Sequence, residues 1–138
     1  MIGKIMAIDY GSKRIGIAFS DPLRLFAKAH SVIPNNGIDE VVVKITSLIK
    51  DNQANLVVVG IPYAIDGTNT PKTLETLEFI DILQSRIPIT ITGMDERYSS
   101  QEAEEILKNR GESWQKARQK VDAVAAAMIL TNYLEQHS

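Results

Sequence analysis

Lys4-Ile5-Met6-Ala7-Ile8-Asp9-Tyr10-Gly11-Ser12-Lys13-Arg14-Ile15-Gly16-Ile17-Ala18-Phe19-Ser20-Asp21 decides how the rest of the chain is arranged. It contains two apolar strands, 5–9 and 15–20, joined by a polar turn that contains Gly11. So short a connection cannot cross over a sheet, so the two strands form an antiparallel hairpin. The first strand ends its apolar run on a carboxylate, Asp9. A carboxylate buried there without a partner is costly. Its position points to a metal or a phosphate nearby, or, as readily, to an Asx residue that starts the turn.

Outward from this hairpin, residues 27–33 form a third strand, ended by the turn Pro34-Asn35-Asn36-Gly37. Ile38, Val41, Val42, Ile45, Leu48 and Ile49 recur at helical spacing and predict a helix over 38–52. Residues 56–62 are a continuous apolar run, the pattern of a strand covered on both faces. A polar loop with Asp66-Gly67 as its turn leads to Thr70 as N-cap and Pro71 at the first helical position. That helix extends to about residue 84. A fifth strand covers 87–94. Ser99 followed by Glu102 has the capping-box spacing, and the helix it starts runs to about 109, stopped by Gly111. A last helix covers 114–135, with Trp114 as its anchor. Three meandering strands followed by two joined through helices make an α/β fold with a mixed sheet and helices on both faces.

The chain has 138 residues, enough for one domain with a core. With 44% hydrophobic and 23% charged residues it has a globular composition, and no apolar run reaches the roughly 20 residues of a membrane span. The N-terminus begins directly on strand pattern, without a signal-peptide segment, so a cytoplasmic location is expected. There is no cysteine, and the two histidines, His30 and His137, are far apart in sequence. Thiolate and histidine metal sites are therefore not expected; a metal here would be a hard cation on oxygen ligands. Net charge is −2, which gives no global nucleic-acid signature. Between Lys108 and Lys120, however, five bases stand against one acid, a local patch able to guide a polyanion.

Three acidic positions stand in apolar or structured surroundings: Asp9, the pair Asp95-Glu96 after the fifth strand, and Asp122 within an Ala-rich helix. Carboxylates brought together raise each other's pKa, and a divalent cation relieves the repulsion. Such a site activates water on a phosphodiester. Each acid also has a plainer reading. Asp95 and Glu96 can pair with Arg97 at the surface, and Asp122 with Arg118 one helical turn earlier. Gly11-Ser12-Lys13-Arg14 offers turn amides and two cations to a phosphate, but lacks the P-loop pattern.

Four segments then fall into a recognisable order. Residues 9–18, Val59-Gly60-Ile61-Pro62 with Asp66-Gly67, Asp95-Glu96-Arg97-Tyr98-Ser99, and Val121-Asp122-Ala123-Val124-Ala125-Ala126 resemble the YqgF/RuvX family across essentially the whole chain. The resemblance implies a single RNase H-like domain over 1–138, related to the RuvC Holliday-junction resolvases. Its five-stranded mixed sheet would have the order 3-2-1-4-5. It implies a cytoplasmic bacterial nuclease associated with maturation of the 5′ end of pre-16S rRNA, a family earlier proposed to resolve Holliday junctions. The family's acids fall on Asp9, Glu96 and Asp122 as catalytic residues and ligands of Mg2+ or Mn2+. Lys13 and Arg14 would hold substrate phosphates, and Arg97 would do the same or orient Glu96. Unlike other RNase H-like enzymes, this chain has no acid on its fourth strand. Two other readings remain: a non-catalytic nucleic-acid or ribosome-assembly module, and one lobe of an actin-like ATPase. Nucleic acid, pre-rRNA or branched DNA, is the expected partner, with the protein a monomer or homodimer and no membrane involved.

Overall fold

The computed structural model describes residues 3–96 and 114–137. The expected helix at 99–109 and Arg97 lie outside the described residues. Among the described residues five strands and three helices follow in order: β1 (Lys4–Asp9), β2 (Arg14–Ser20), β3 (Ala27–Pro34), α1 (Ile38–Asn52), β4 (Ala54–Ile61), α2 (Pro71–Arg86), β5 (Thr90–Asp95) and α3 (Trp114–Gln136). They form one sheet of order β3-β2-β1-β4-β5. β1 pairs antiparallel with β2, and β2 with β3. β1 pairs parallel with β4, and β4 with β5. This is the mixed sheet and strand order expected from the sequence.

β4 is buried from both sides, as are β1 and β2. Val57 and Val59 face a core built with Val41, Ile45 and Ile49 of α1 and Phe79, Ile80 and Leu83 of α2. Val58 faces the opposite core, with Ala126, Ile129 and Leu130 of α3 and Ile5 and Ala7 of β1. The pleat sends alternate residues to opposite faces, so a strand between two helical layers must be apolar throughout. Ala123, Ala125 and Ala126 are buried on α3; their small side chains let that helix lie close to the sheet. Among the described residues no helix is long and apolar enough to cross a membrane.

Two of the element ends that differ from the sequence reading do so for one reason. α2 continues to Arg86 and β5 starts only at Thr90. Ile87 has strand character, but its N–H donates to Leu83 O at 2.8 Å and closes the helix. The start of α2 is as expected. Thr70 and Thr73 form a reciprocal capping box, with Pro71 in the first turn. Thr73 Oγ1 also donates to Pro62 O at 2.6 Å. This ties the first turn of α2 to the end of β4.

β1, β4 and β5 are parallel, so their carboxyl ends share one edge of the sheet. β2 runs the other way and begins at that edge with Arg14. Ligands of open α/β sheets bind outside the carboxyl ends of the parallel strands.

Candidate functional site

Asp9 is the last residue of β1, and Glu96 follows β5 directly. β4 lies between them, so their backbones are two strand spacings apart, roughly 10 Å. Gly60 on β4 makes their meeting possible. A Cβ at residue 60 would stand 2.4 Å from Glu96 Oε2 and 2.5 Å from Ile129 Cδ1. The Glu96 carboxyl thus lies across the bare backbone of Gly60, toward Asp9. Glu96 N–H donates to Ile61 O at 3.1 Å and fixes the direction of this reach.

Both acids are only 8% exposed, and their carboxyls lie close enough to share a proton, which favours the neutral form of Glu96 and the charged form of Asp9. Burial pushes Glu96 up to about 8, and the neighbouring charge of Asp9 adds to the rise. Burial raises Asp9 to about 6, against the pull of Lys72 and with a further push from Asp122. Removing a carboxylate from water disfavours its charged form, and a second carboxylate beside it does the same. Glu96 Oε2 is buried with no hydrogen-bond partner. Asp95 is exposed, so of the two acids after β5 it is Glu96 that enters the site.

Asp122 stands at the rim. Its Oδ2 accepts from Arg14 Nε at 3.0 Å. Side-chain exposures of 56% for Arg14 and 22% for Asp122 make this a partly solvated pair, worth at most about 1 kcal/mol. α3 reaches β2 here because Gly16 has no side chain. A Cβ there would meet Asp122 O at 1.8 Å. Arg118, the partner suggested by helical spacing, has no described side chain. Lys13 is exposed on the β1–β2 turn. Asn35 holds that turn: its Nδ2 donates to Gly11 O at 2.9 Å and its N–H to Lys13 O at 3.0 Å.

The structure therefore brings Asp9 and Glu96 together, sets Asp122 and Arg14 beside them as an ion pair, and leaves Lys13 on the open turn. Among the described residues no three acids or histidines close into a cluster that holds a metal. The two buried carboxylates still suit a hard cation. Mg2+ keeps several waters and needs only one or two carboxylates, and the orphaned Glu96 Oε2 is an oxygen in want of a positive partner.

The family model described as RuvX, Holliday junction resolvase, matches residues 3–136. This chain belongs to the RuvX family. A RuvX relative from Syntrophomonas wolfei is 39% identical over 132 residues, covering 96% of this chain and 94% of its own. One from Acetivibrio thermocellus is 39% identical over 134 residues, covering 96% and 95%. Both are named, provisionally, as pre-16S rRNA nucleases. Among solved structures, T. thermophilus RuvC in complex with a Holliday junction substrate superposes with a TM-score of 0.60 at 13% identity, covering 97% of this chain and 96% of that one. The fowlpox virus Holliday junction resolvase gives 0.56 at 14%, covering 98% and 99%. At such identities the likeness establishes the RNase H-like fold. Family and relatives together mark this RuvX chain as a nuclease.

Two features of the RuvX site escape a reading of the acids alone. One is Lys72, whose charge acts on both Asp9 and Glu96. Its position at the start of the helix after β4 was the available signal, since helix starts at this edge face the ligand. The other is Gly60. The missing acid on β4 leaves the space that Glu96 fills. Gly60→Ala should therefore displace the Glu96 carboxyl and press on Ile129, costing about 1–2 kcal/mol of stability. Urea unfolding measures the cost, and loss of Mn2+ binding by the folded variant reports the displaced carboxyl.

Proposed function

We propose that this RuvX chain hydrolyses phosphodiester bonds of structured nucleic acid with a divalent cation, Mg2+ or Mn2+, and that the 5′ end of pre-16S rRNA is its substrate. The observation that carries this reading is the buried Asp9–Glu96 pair at the carboxyl ends of β1 and β5, with Glu96 Oε2 unpartnered. When bound, such a cation polarises the phosphodiester and lowers the pKa of an attacking water. Asp9 and Glu96 would hold it, once the proton they share has left to solvent. Asp122 would offer a third carboxylate from the rim, freed as incoming phosphate takes Arg14 from it. Lys13 on the exposed turn binds backbone phosphate, as does Arg97. The cytoplasm, where pre-rRNA is processed, is the matching location, with the chain acting as a monomer or homodimer.

A second reading is resolution of four-way DNA junctions, favoured by the description of the family model and by the junction-bound neighbour. A third is a non-catalytic nucleic-acid or ribosome-assembly module, favoured by the net charge of −2 and the absence of an acid on β4. One experiment separates the three. Purified protein is incubated with a pre-16S 5′ fragment and with a four-way junction, in Mg2+, Mn2+ or EDTA. Asp9→Asn and Asp122→Asn proteins with unchanged circular dichroism are run beside it. The rRNA fragment should be cut only with metal, and the Asp9→Asn rate should fall by about a thousandfold. Cleavage in EDTA, or equal cleavage by Asp9→Asn, contradicts the carboxylate–metal chemistry. Cleavage of the junction alone moves the substrate to DNA. Binding of the RNA without cleavage, unchanged in Asp9→Asn, supports the assembly module.

A further inference from the structure

The opposite end of the sheet carries a hollow of about 610 Å³, lined by Phe19, Phe26, Lys4, Lys28, His30 and Asn52 among others. β1 runs from Lys4 at this hollow to Asp9 at the carboxylates, so the two places stand roughly 17 Å apart. The pleat explains the grouping. Phe19 and Lys28 are cross-strand partners on β2 and β3, and the Phe19 and His30 rings meet edge to face at 5.0 Å. Asp21, an acid on the wall, has both oxygens engaged by its own loop. Its Oδ1 accepts from Leu25 N–H at 2.8 Å and Phe26 N–H at 2.7 Å, and its Oδ2 from Leu23 N–H at 3.1 Å. Arg24 takes the left-handed conformation, with φ 59°, and its Nε donates to Gly3 O at 2.9 Å. The loop between β2 and β3 is thereby fixed, and it holds Phe26 73% exposed.

An exposed phenylalanine by itself is ordinary. One held in place beside basic side chains, on a chain whose net charge is −2, offers what a nucleotide takes up: a ring for the base to stack on and a cation for the phosphate. A ring fixed beforehand loses little freedom on binding. We propose that this hollow binds a nucleotide of a single-stranded nucleic-acid segment, with the base stacked on Phe26 and the phosphate held by Lys28 and Lys4. A protein partner suits it less. Leu23, Leu25 and Phe26 expose far less than the roughly 800 Å² that each side of a stable interface buries, and lysine is depleted from the middle of such interfaces. β3 leads from the hollow to Asn35, whose N–H donates to Lys13 O. A strand held here therefore has the open edge of the sheet to follow toward the Lys13 turn. The hollow needs no metal, so it stands or falls apart from the reading of Asp9 and Glu96.

The test is fluorescence anisotropy of a labelled eight-nucleotide RNA strand in EDTA, titrated with wild type, Phe26→Ala, Phe26→Trp and Lys28→Gln over a range of salt. A strand of the same length without bases is run beside it. Phe26→Ala should bind about tenfold more weakly or worse, and Phe26→Trp as well as wild type or better. Lys28→Gln should lower the slope of log affinity against log salt by about 0.7, the share of one phosphate contact, whereas Phe26→Ala should leave that slope unchanged. The baseless strand should bind wild type as weakly as the full strand binds Phe26→Ala. A wild type that binds no RNA strand, a Phe26→Ala protein that binds as wild type does, or a baseless strand that binds as tightly as the full one overturns the proposal. So does self-association of wild type that Phe26→Ala abolishes while RNA binding is unchanged, which would assign the loop to a second copy of the chain. Cleavage in Mn2+ by the same proteins reports separately on the carboxylates: RNA binding that depends on Phe26, with no cleavage of any substrate, sinks the nuclease reading and leaves the hollow standing.

Discussion

Glu96→Gln should reduce cleavage by about a thousandfold or more and yet make the metal-free fold more stable at high pH. The amide keeps the shape of the side chain and can still donate to Asp9. It removes the charge that burial penalises. The sign follows from proton binding. Glu96 is raised from 4.5 to about 8 in the folded protein, so the folded state holds a proton that the unfolded state has released. Below pH 4.5 both states are protonated and Glu96 adds no penalty. As pH rises toward 8 the unfolded state is increasingly favoured, and above 8 the penalty is complete. A shift of this size corresponds to on the order of 5 kcal/mol. Urea unfolding in EDTA should therefore give wild type and Glu96→Gln similar stabilities near pH 4, with the variant well ahead at pH 9. A variant less stable than wild type at both values would mean that the buried carboxylate is not under strain. Asp9, raised to about 6, adds a smaller dependence of the same sign.

Gly16→Ala should be the most damaging single methyl in the molecule, costing about 3 kcal/mol or more of stability. Its Cβ would fall 1.8 Å from Asp122 O, 2.2 Å from Asp122 C and 2.9 Å from Ala123 N. All three are backbone atoms of α3, so no side-chain rotation can relieve the contact. The helix must lift from β2, and the Arg14–Asp122 pair with it. Gly60→Ala differs in kind, because the ends of two side chains can yield. Thermal unfolding of the two variants should rank Gly16→Ala far below Gly60→Ala. A Gly16→Ala protein as stable as wild type would show that α3 does not press on the sheet there.

The hairpin that ends on Asp9 was legible from its residues, because an apolar run closing on a carboxylate is a local pattern. So were the crossover helices, from their periodicity and from the Thr70-Pro71 start. The strand order came through the family resemblance, and the pairing confirms it. Other features depend on what the chain brings together from afar. Alternation along β5 could not choose between Asp95 and Glu96, since Glu96 lies one residue beyond the strand and turns inward through its hydrogen bond to Ile61. Helical spacing offered Arg118 to Asp122, but the bond described is to Arg14 on β2. That partner appears only once Gly16 lets the helix approach. Lys72 was marked only by its place at the start of the helix after β4. Its meaning lies in the pinning of α2 to β4, a tertiary contact through Thr73. The glycines were visible as residues, but the space they leave was not.

The direct test of the two-carboxylate centre is anomalous scattering from a crystal soaked in Mn2+. The strongest anomalous peak should lie between the side chains of Asp9 and Glu96, with Glu96 Oε2 at bonding distance, about 2 Å, and the carboxyl–carboxyl hydrogen bond gone. A map with Asp9 and Glu96 still hydrogen-bonded to each other and no peak beside them, at a Mn2+ concentration that supports cleavage, would contradict it.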